Sequence, residues 1–142
     1  MEDLIVAETT LKNNHNLSLV VVKNKKVIST KTGRGVKPLM ETLEELGSDL
    51  NGASIADKVV GRGSAAVMAT GQVSSLYTPV ITRWALNFLK QKGVIVKHEK
   101  IVPNILNRKK TDLCPVEKLT SGLEEPSQIL LKIKEFLATS GI

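Results

Sequence analysis

Cysteine is almost absent from this chain: Cys114 is the only one in 142 residues. A single thiol allows no internal disulfide, which excludes a stapled secreted scaffold and fits a reducing cytoplasm. Aromatic residues are as scarce, at 3%, and comprise Tyr77, Trp84, Phe88 and Phe136. Rings so few and scattered make no stacking platform for a single strand of nucleic acid. No apolar run approaches the roughly 20 residues that a membrane-spanning helix needs, and Leu19–Val22 falls far short. The start, Met1-Glu2-Asp3-Leu4, is acidic where a secretory signal is basic, and no apolar stretch follows. His15, His98 and Cys114 are separated by long intervals, with nothing like zinc-ligand spacing. Together these absences predict a soluble cytoplasmic protein with no metal, no bound cofactor and no membrane association.

The rest of the composition is that of an ordinary globular domain, 42% hydrophobic and 24% charged. The length suits one domain, residues 1–142, with a core large enough for three layers. The net charge of +6 would suit a polyanion, but the bases are dispersed. Lys23, Lys25 and Lys26 fall in an expected hairpin turn, and Arg108, Lys109 and Lys110 in a later loop. Solvated turn lysines account for them, so nucleic acid is not the expected partner.

Periodicity gives the order of elements. Leu4–Lys12 reads as a short helix packing Leu4, Ile5 and Leu11. Leu17–Val22 and Val27–Thr30 read as antiparallel strands joined by a tight turn in which Asn24 takes a positive φ. A glycine-rich loop, Thr32–Lys37, then enters a helix at Pro38 that ends at Gly47. Ser54-Ile55-Ala56-Asp57 matches a capping box and predicts a helix to about Ala69. Its small residues, Gly61, Gly63, Ser64, Ala65 and Ala66, suggest close backbone approach. Gln72–Thr78 reads as a strand, Pro79 as the start of a helix capped by Thr78, and Val94–Lys100 as a strand. Val102, Ile105 and Leu106 suit either a short edge strand or a covering loop. Helices are expected from Cys114 and over Pro126–Ala138, the latter with Ile129, Leu130, Ile133 and Leu137 inward. This order implies a mixed sheet with helices on both faces.

The segments Gly33-Arg34-Gly35-Val36-Lys37-Pro38-Leu39, Ala56-Asp57-Lys58-Val59-Val60-Gly61, Val102-Pro103 with Asn107-Arg108, and Cys114-Pro115-Val116-Glu117 carry a resemblance. With them, from about Leu17 to the last helix, the chain resembles a small bacterial family of unknown function in the cytidine deaminase-like fold superfamily. The resemblance implies a three-layer α/β/α fold with a mixed sheet in strand order about 2-1-3-4-5. It implies no established reaction. In zinc deaminases of this fold the metal lies where two helix N-termini meet, one bringing H-x-E or C-x-E and the other P-C-x-x-C. The corresponding helices here would open near Ser54 and at Pro79. Ser54–Thr70 contains no His, Cys or Glu, and Arg83 stands where a second cysteine would fall. Zinc-dependent deamination is therefore not expected. Relatives of the fold often assemble, which makes a homodimer the expected state.

Candidate site residues follow from local chemistry. Cys114 at an N-cap, with Pro115 first and Glu117 third in the helix, has two opposed readings. A helix N-terminus favours thiolate, making Cys114 a nucleophile or redox thiol with Glu117 or His98 as base. A buried inert thiol is the plainer alternative. Gly33-Arg34-Gly35 and Lys37 can offer amides and cations to a phosphate or carboxylate, and so can Gly61-Arg62-Gly63; a turn and tight helix packing are the competing readings. Asp57 and Lys58, with Tyr77 and Thr78, would border the same cleft, although Asp57 and Thr78 also suit plain helix caps. Asn107 and Arg108 either bind an acidic group beside the thiol or only shape a turn.

The function expected from these residues is binding of a small anionic or nucleotide-like ligand, with thiol chemistry at Cys114. The alternative is a non-catalytic homo-oligomeric interaction protein whose cleft is closed by Val80 and Trp84. A nucleic-acid binder ranks third.

Overall fold

The computed structural model describes residues 2–107 and 109–140. A six-stranded mixed sheet forms its centre. Helix α1 (Glu2–Lys12) leads into the hairpin β1 (Leu19–Lys23) and β2 (Lys26–Lys31), turned by Asn24 and Lys25 at φ 53° and 67°. Positive φ at both central residues matches the right-handed twist of the flanking strands. Helix α2 (Lys37–Leu46) follows, then a single 3-10 turn. Next come β3 (Ser54–Asp57), β4 (Val59–Val60), α3 (Arg62–Gly71), β5 (Ser75–Thr82), α4 (Arg83–Gln91) and β6 (Ile95–Val102). Helices α5 (Pro115–Thr120) and α6 (Pro126–Ser140) close the chain.

The sheet runs β2-β1-β3-β5, with β6 outside β5 and β4 prolonging β3 along the same side of β5. With β3 and β4 counted as one interrupted strand, this is the expected 2-1-3-4-5 order. β1 is antiparallel to both neighbours, whereas β3, β4, β5 and β6 are parallel. Alternation along β1 splits the core. Val20 and Val22 join Ala56 and Tyr77 beneath Leu4, Ala7 and Leu11 of α1. Leu19 and Val21 face the opposite layer, where Leu39, Val67, Met68, Leu89, Ile129 and Ile133 pack. A strand covered on both faces is apolar throughout, which is why β1 reads as a continuous hydrophobic run.

Four expectations fail here. Ser54–Asp57 is not the first turn of a helix but a central strand, buried at every position between β1 and β5. The capping-box pattern is local, and pairing on both sides overrides it. The helix starts at Arg62, so Asp57 caps nothing and Gly61 stands at the N-cap. Thr78 is likewise no cap: β5 runs on through Pro79, and Thr82 caps α4 by accepting the Ala85 N–H at 3.2 Å. The register on either side sets Pro79 opposite Lys58, the residue between β3 and β4. A proline without an N–H is tolerated in this inner strand because the ladder is broken at that point. Finally, Ile5 is 61% exposed, and Ala7 takes the buried place expected for it.

Among the described residues no helix is long and apolar enough to cross a membrane.

Candidate functional site

Helices α3 and α4 both start at the C-terminal ends of parallel strands, where an open α/β sheet forms its crevice. Their first turns touch: the Arg62 guanidinium lies 4.4 Å from the centre of the Trp84 ring. Trp84 in turn stacks on Phe88 one turn along α4, with ring centres 4.8 Å apart. Into this corner α5 sends Glu117. Its Oε1 accepts the Arg62 backbone N–H at 3.2 Å, and its Oε2 lies 3.8 Å from Arg62 Nε. Arg62 also donates from Nη1 to the Leu123 carbonyl at 3.4 Å.

Glu117 is therefore the N-terminal cap of another helix. Gly61 at the N-cap has no side chain to accept a hydrogen bond, and the carboxylate supplies that function while favouring the positive helix end. A Cβ at Gly61 would collide with Glu117 Oε1 and lie 2.6 Å from Ile105 Cδ1. A side chain at position 61 would force the ends of Glu117 and Ile105 to move. Burial pushes the Glu117 carboxyl above its usual range, against the opposing pull of the Arg62 N–H and guanidinium. Glu117 does not reach back to the Cys114 N–H, which donates to Ile105 instead, because its carboxylate has turned to α3.

A second contact draws in the glycine-rich loop. A Cβ at Gly63 would come within 2.8 Å of Val116 and 3.1 Å of Ile133, with Val36 at 3.5 Å. Gly63 thus brings together the loop before α2, the start of α5 and α6. Flanking Val36 in the chain are exposed Arg34 and Gly35 and half-buried Lys37. Gly33 and Gly35 have φ of 105° and 71°, conformations that suit glycine. Among the described residues neither Arg34 nor Lys37 has an acidic partner, and the N-cap of α2, Val36, makes no side-chain hydrogen bond.

The remaining candidates are placed as follows. Cys114 is the N-cap of α5, half-buried, and makes no side-chain capping hydrogen bond. Its N–H donates to the Ile105 carbonyl at 2.8 Å. Asp57, 8% exposed, ends β3 on the face of the larger helical layer. Burial lifts its carboxyl from 3.8 to about 7, although the N–H groups of Val59 and Lys58 pull it down. Lys58 points elsewhere and donates to the His15 carbonyl at 2.8 Å. Tyr77 lies under α1 with its hydroxyl on Glu99, and Thr78 bonds within its own strand to Val80. Asn107 uses its amide on the Thr111 N–H and hydroxyl, shaping the turn that follows. Arg108 lies outside the described residues.

The structure joins Glu117 to the first turn of α3 and sets Val36, between Gly35 and Lys37, beside Gly63, while Lys58 and Asn107 are engaged elsewhere. The Arg62–Trp84 pair lay outside sequence reasoning, because nothing local marks a stacking partner on another helix. The small residues around Gly61 and Gly63 were the visible trace of it.

Zinc does not suit this corner. A guanidinium stands between the two helix starts, and among the described residues no three His, Cys, Asp or Glu side chains gather to hold a metal.

The DUF1893 protein TM1506 of Thermotoga maritima superposes with a TM-score of 0.85 at 22% identity, over 95% of this chain and 90% of that one. RibD of Acinetobacter baumannii superposes at 0.50 with 18% identity, over 69% of this chain and 33% of that one. The dCMP deaminase of cyanophage S-TIM5 gives 0.48 with 14% identity, over 68% of this chain and 93% of that one. The likenesses to TM1506 and RibD accord with the mixed-sheet α/β fold described above. No curated protein matches the chain. The family model described as a domain of unknown function, DUF1893, matches residues 7–137, and the chain belongs to that family.

Proposed function

We propose that this protein binds a small anionic ligand, phosphate-bearing and nucleotide-like, without zinc. The mouth lies between the Gly33–Lys37 loop and the start of α5. The observation that carries this reading is the junction at Gly63, which Val36 and Val116 both approach from the two segments. Among the described residues no carboxylate pairs with Arg34 or Lys37, which leaves their positive charge for an anion. The uncapped first turn of α2 supplies amide N–H groups, and an anion satisfies both. The corner at α3 and α4 is already filled by Glu117 and Arg62, so the ligand sits outside that plug, at the loop.

Isothermal calorimetry with inorganic phosphate, a nucleoside monophosphate and a nucleoside diphosphate tests this. Saturable binding that is weakened about tenfold or more in R34A/K37A supports the reading. Absence of heat with all three, or equal binding by the double variant, refutes it.

A further inference from the structure

β6 pairs with β5 from Ile95 to Val102, and among the described residues its other edge pairs with nothing. Eight residues without proline leave an open ladder of N–H and C=O groups, which proteins either guard or use. Ile95 on this strand is 53% exposed. We propose that β6 pairs antiparallel with β6 of a second copy of this chain, about a two-fold axis through His98, so that two sheets become one. This goes beyond the ligand-binding reading and does not depend on it.

Charge selects the register. A two-fold axis normal to the sheet keeps both copies of α1 on one face and opposes residues of like parity. An axis through residue 97 sets Lys97 against the partner's Lys97, and one through residue 99 sets Glu99 against the partner's Glu99. An axis through His98 instead sets Lys97 against the partner's Glu99, twice by symmetry, and Ile95 against the partner's Ile101. Opposite charges and apolar pairs directly across a ladder stabilise it, and like charges oppose it. The other free edge, β2, lacks this complementarity. Its only charged residues are Lys26 and Lys31, so no register of self-pairing offers an opposite-charge pair, and its pairing with β1 is already broken by a register shift.

Sedimentation velocity of the full chain over a range of concentrations is the first test. The wild type is expected to be a dimer, K97E and E99K each to raise the dissociation constant about tenfold or more, and K97E/E99K to restore it. Lys97 and Glu99 also contact Glu8 and Tyr77 within the chain, so a second measurement avoids both. In a C114S background, H98C should oxidise to a covalent dimer. I95C should not, because its mate lies about 20 Å away at the rise of a strand. A wild type that stays monomeric at the highest concentration reached overturns the proposal. So does a dimer that cross-links at residue 95 and not at residue 98.

Discussion

Glu117 accepts the backbone N–H of Arg62 at 3.2 Å, across 55 positions of sequence. One carboxylate thereby joins α5 to α3, fills the space that Gly61 leaves open, and sits beside the guanidinium stacked on Trp84. The N-terminal corner of a deaminase-like scaffold is held here by an organic ion pair. Removing its negative member leaves Arg62, only about one-fifth exposed, without an anion.

That arrangement makes Glu117 a stability determinant with a chemical signature. E117A is expected to cost roughly 2–4 kcal/mol in urea unfolding, through the lost cap, the lost packing and a stranded guanidinium. E117Q keeps an acceptor for the Arg62 N–H and avoids burying a charge, so it should cost about 1 kcal/mol or less. Equal losses in the two variants would mean that the cap contributes nothing.

Gly61 supplies the complementary test. An alanine there meets Glu117 Oε1 and Ile105, and overpacking of this kind costs roughly 1–3 kcal/mol. Because the clash is with the carboxylate, G61A and E117A should not add. The double variant is expected to be more stable than the sum of the singles by about 1 kcal/mol. Strict additivity, measured by the same unfolding curves, would place the collision elsewhere.

How far the sequence revealed this arrangement depends on the range of the forces involved. Pro38, Gly47, Cys114 and Pro126 mark helix limits by their own backbone preferences, and those limits appear where expected. Ser54–Asp57 misleads, because a capping pattern and a doubly buried strand can share one short segment and only pairing with Leu19–Val22 and Ser75–Tyr77 decides between them. Pro79 misleads for the same reason: its tolerance depends on the break at Lys58. Gly61 and Gly63 correctly signalled close approach, yet Glu117 and Val116, the groups that approach, lie on an element more than 50 positions away.

Asp57 gives a pH dependence of definite sign. Its carboxyl rises from 3.8 to about 7 in the folded chain, chiefly by burial. The folded state therefore holds a proton that the unfolded chain has already released. The stabilisation is complete below about pH 4 and disappears as pH rises through about 7, amounting to roughly 4 kcal/mol. Glu117, also raised by burial, acts in the same sense. D57N carries no proton to lose, so its stability relative to wild type should climb across that interval. Parallel stability–pH curves for the two proteins would show that Asp57 is solvated or paired.

Cys114 offers a reporter for the proposed ligand mouth. It starts α5 next to Val116, which meets Gly63 and thereby adjoins the Arg34 loop. An anion bound between loop and helix restricts the approach of a thiol reagent. Alkylation of Cys114 by iodoacetamide is therefore expected to slow about threefold or more in saturating nucleoside diphosphate. The slowing should vanish in R34A/K37A, which keeps the thiol but loses the cations. Slowing that persists in the double variant would mean that the nucleotide acts at another surface. An unchanged rate in the wild type, with binding shown independently by calorimetry, would separate the thiol from the ligand site altogether.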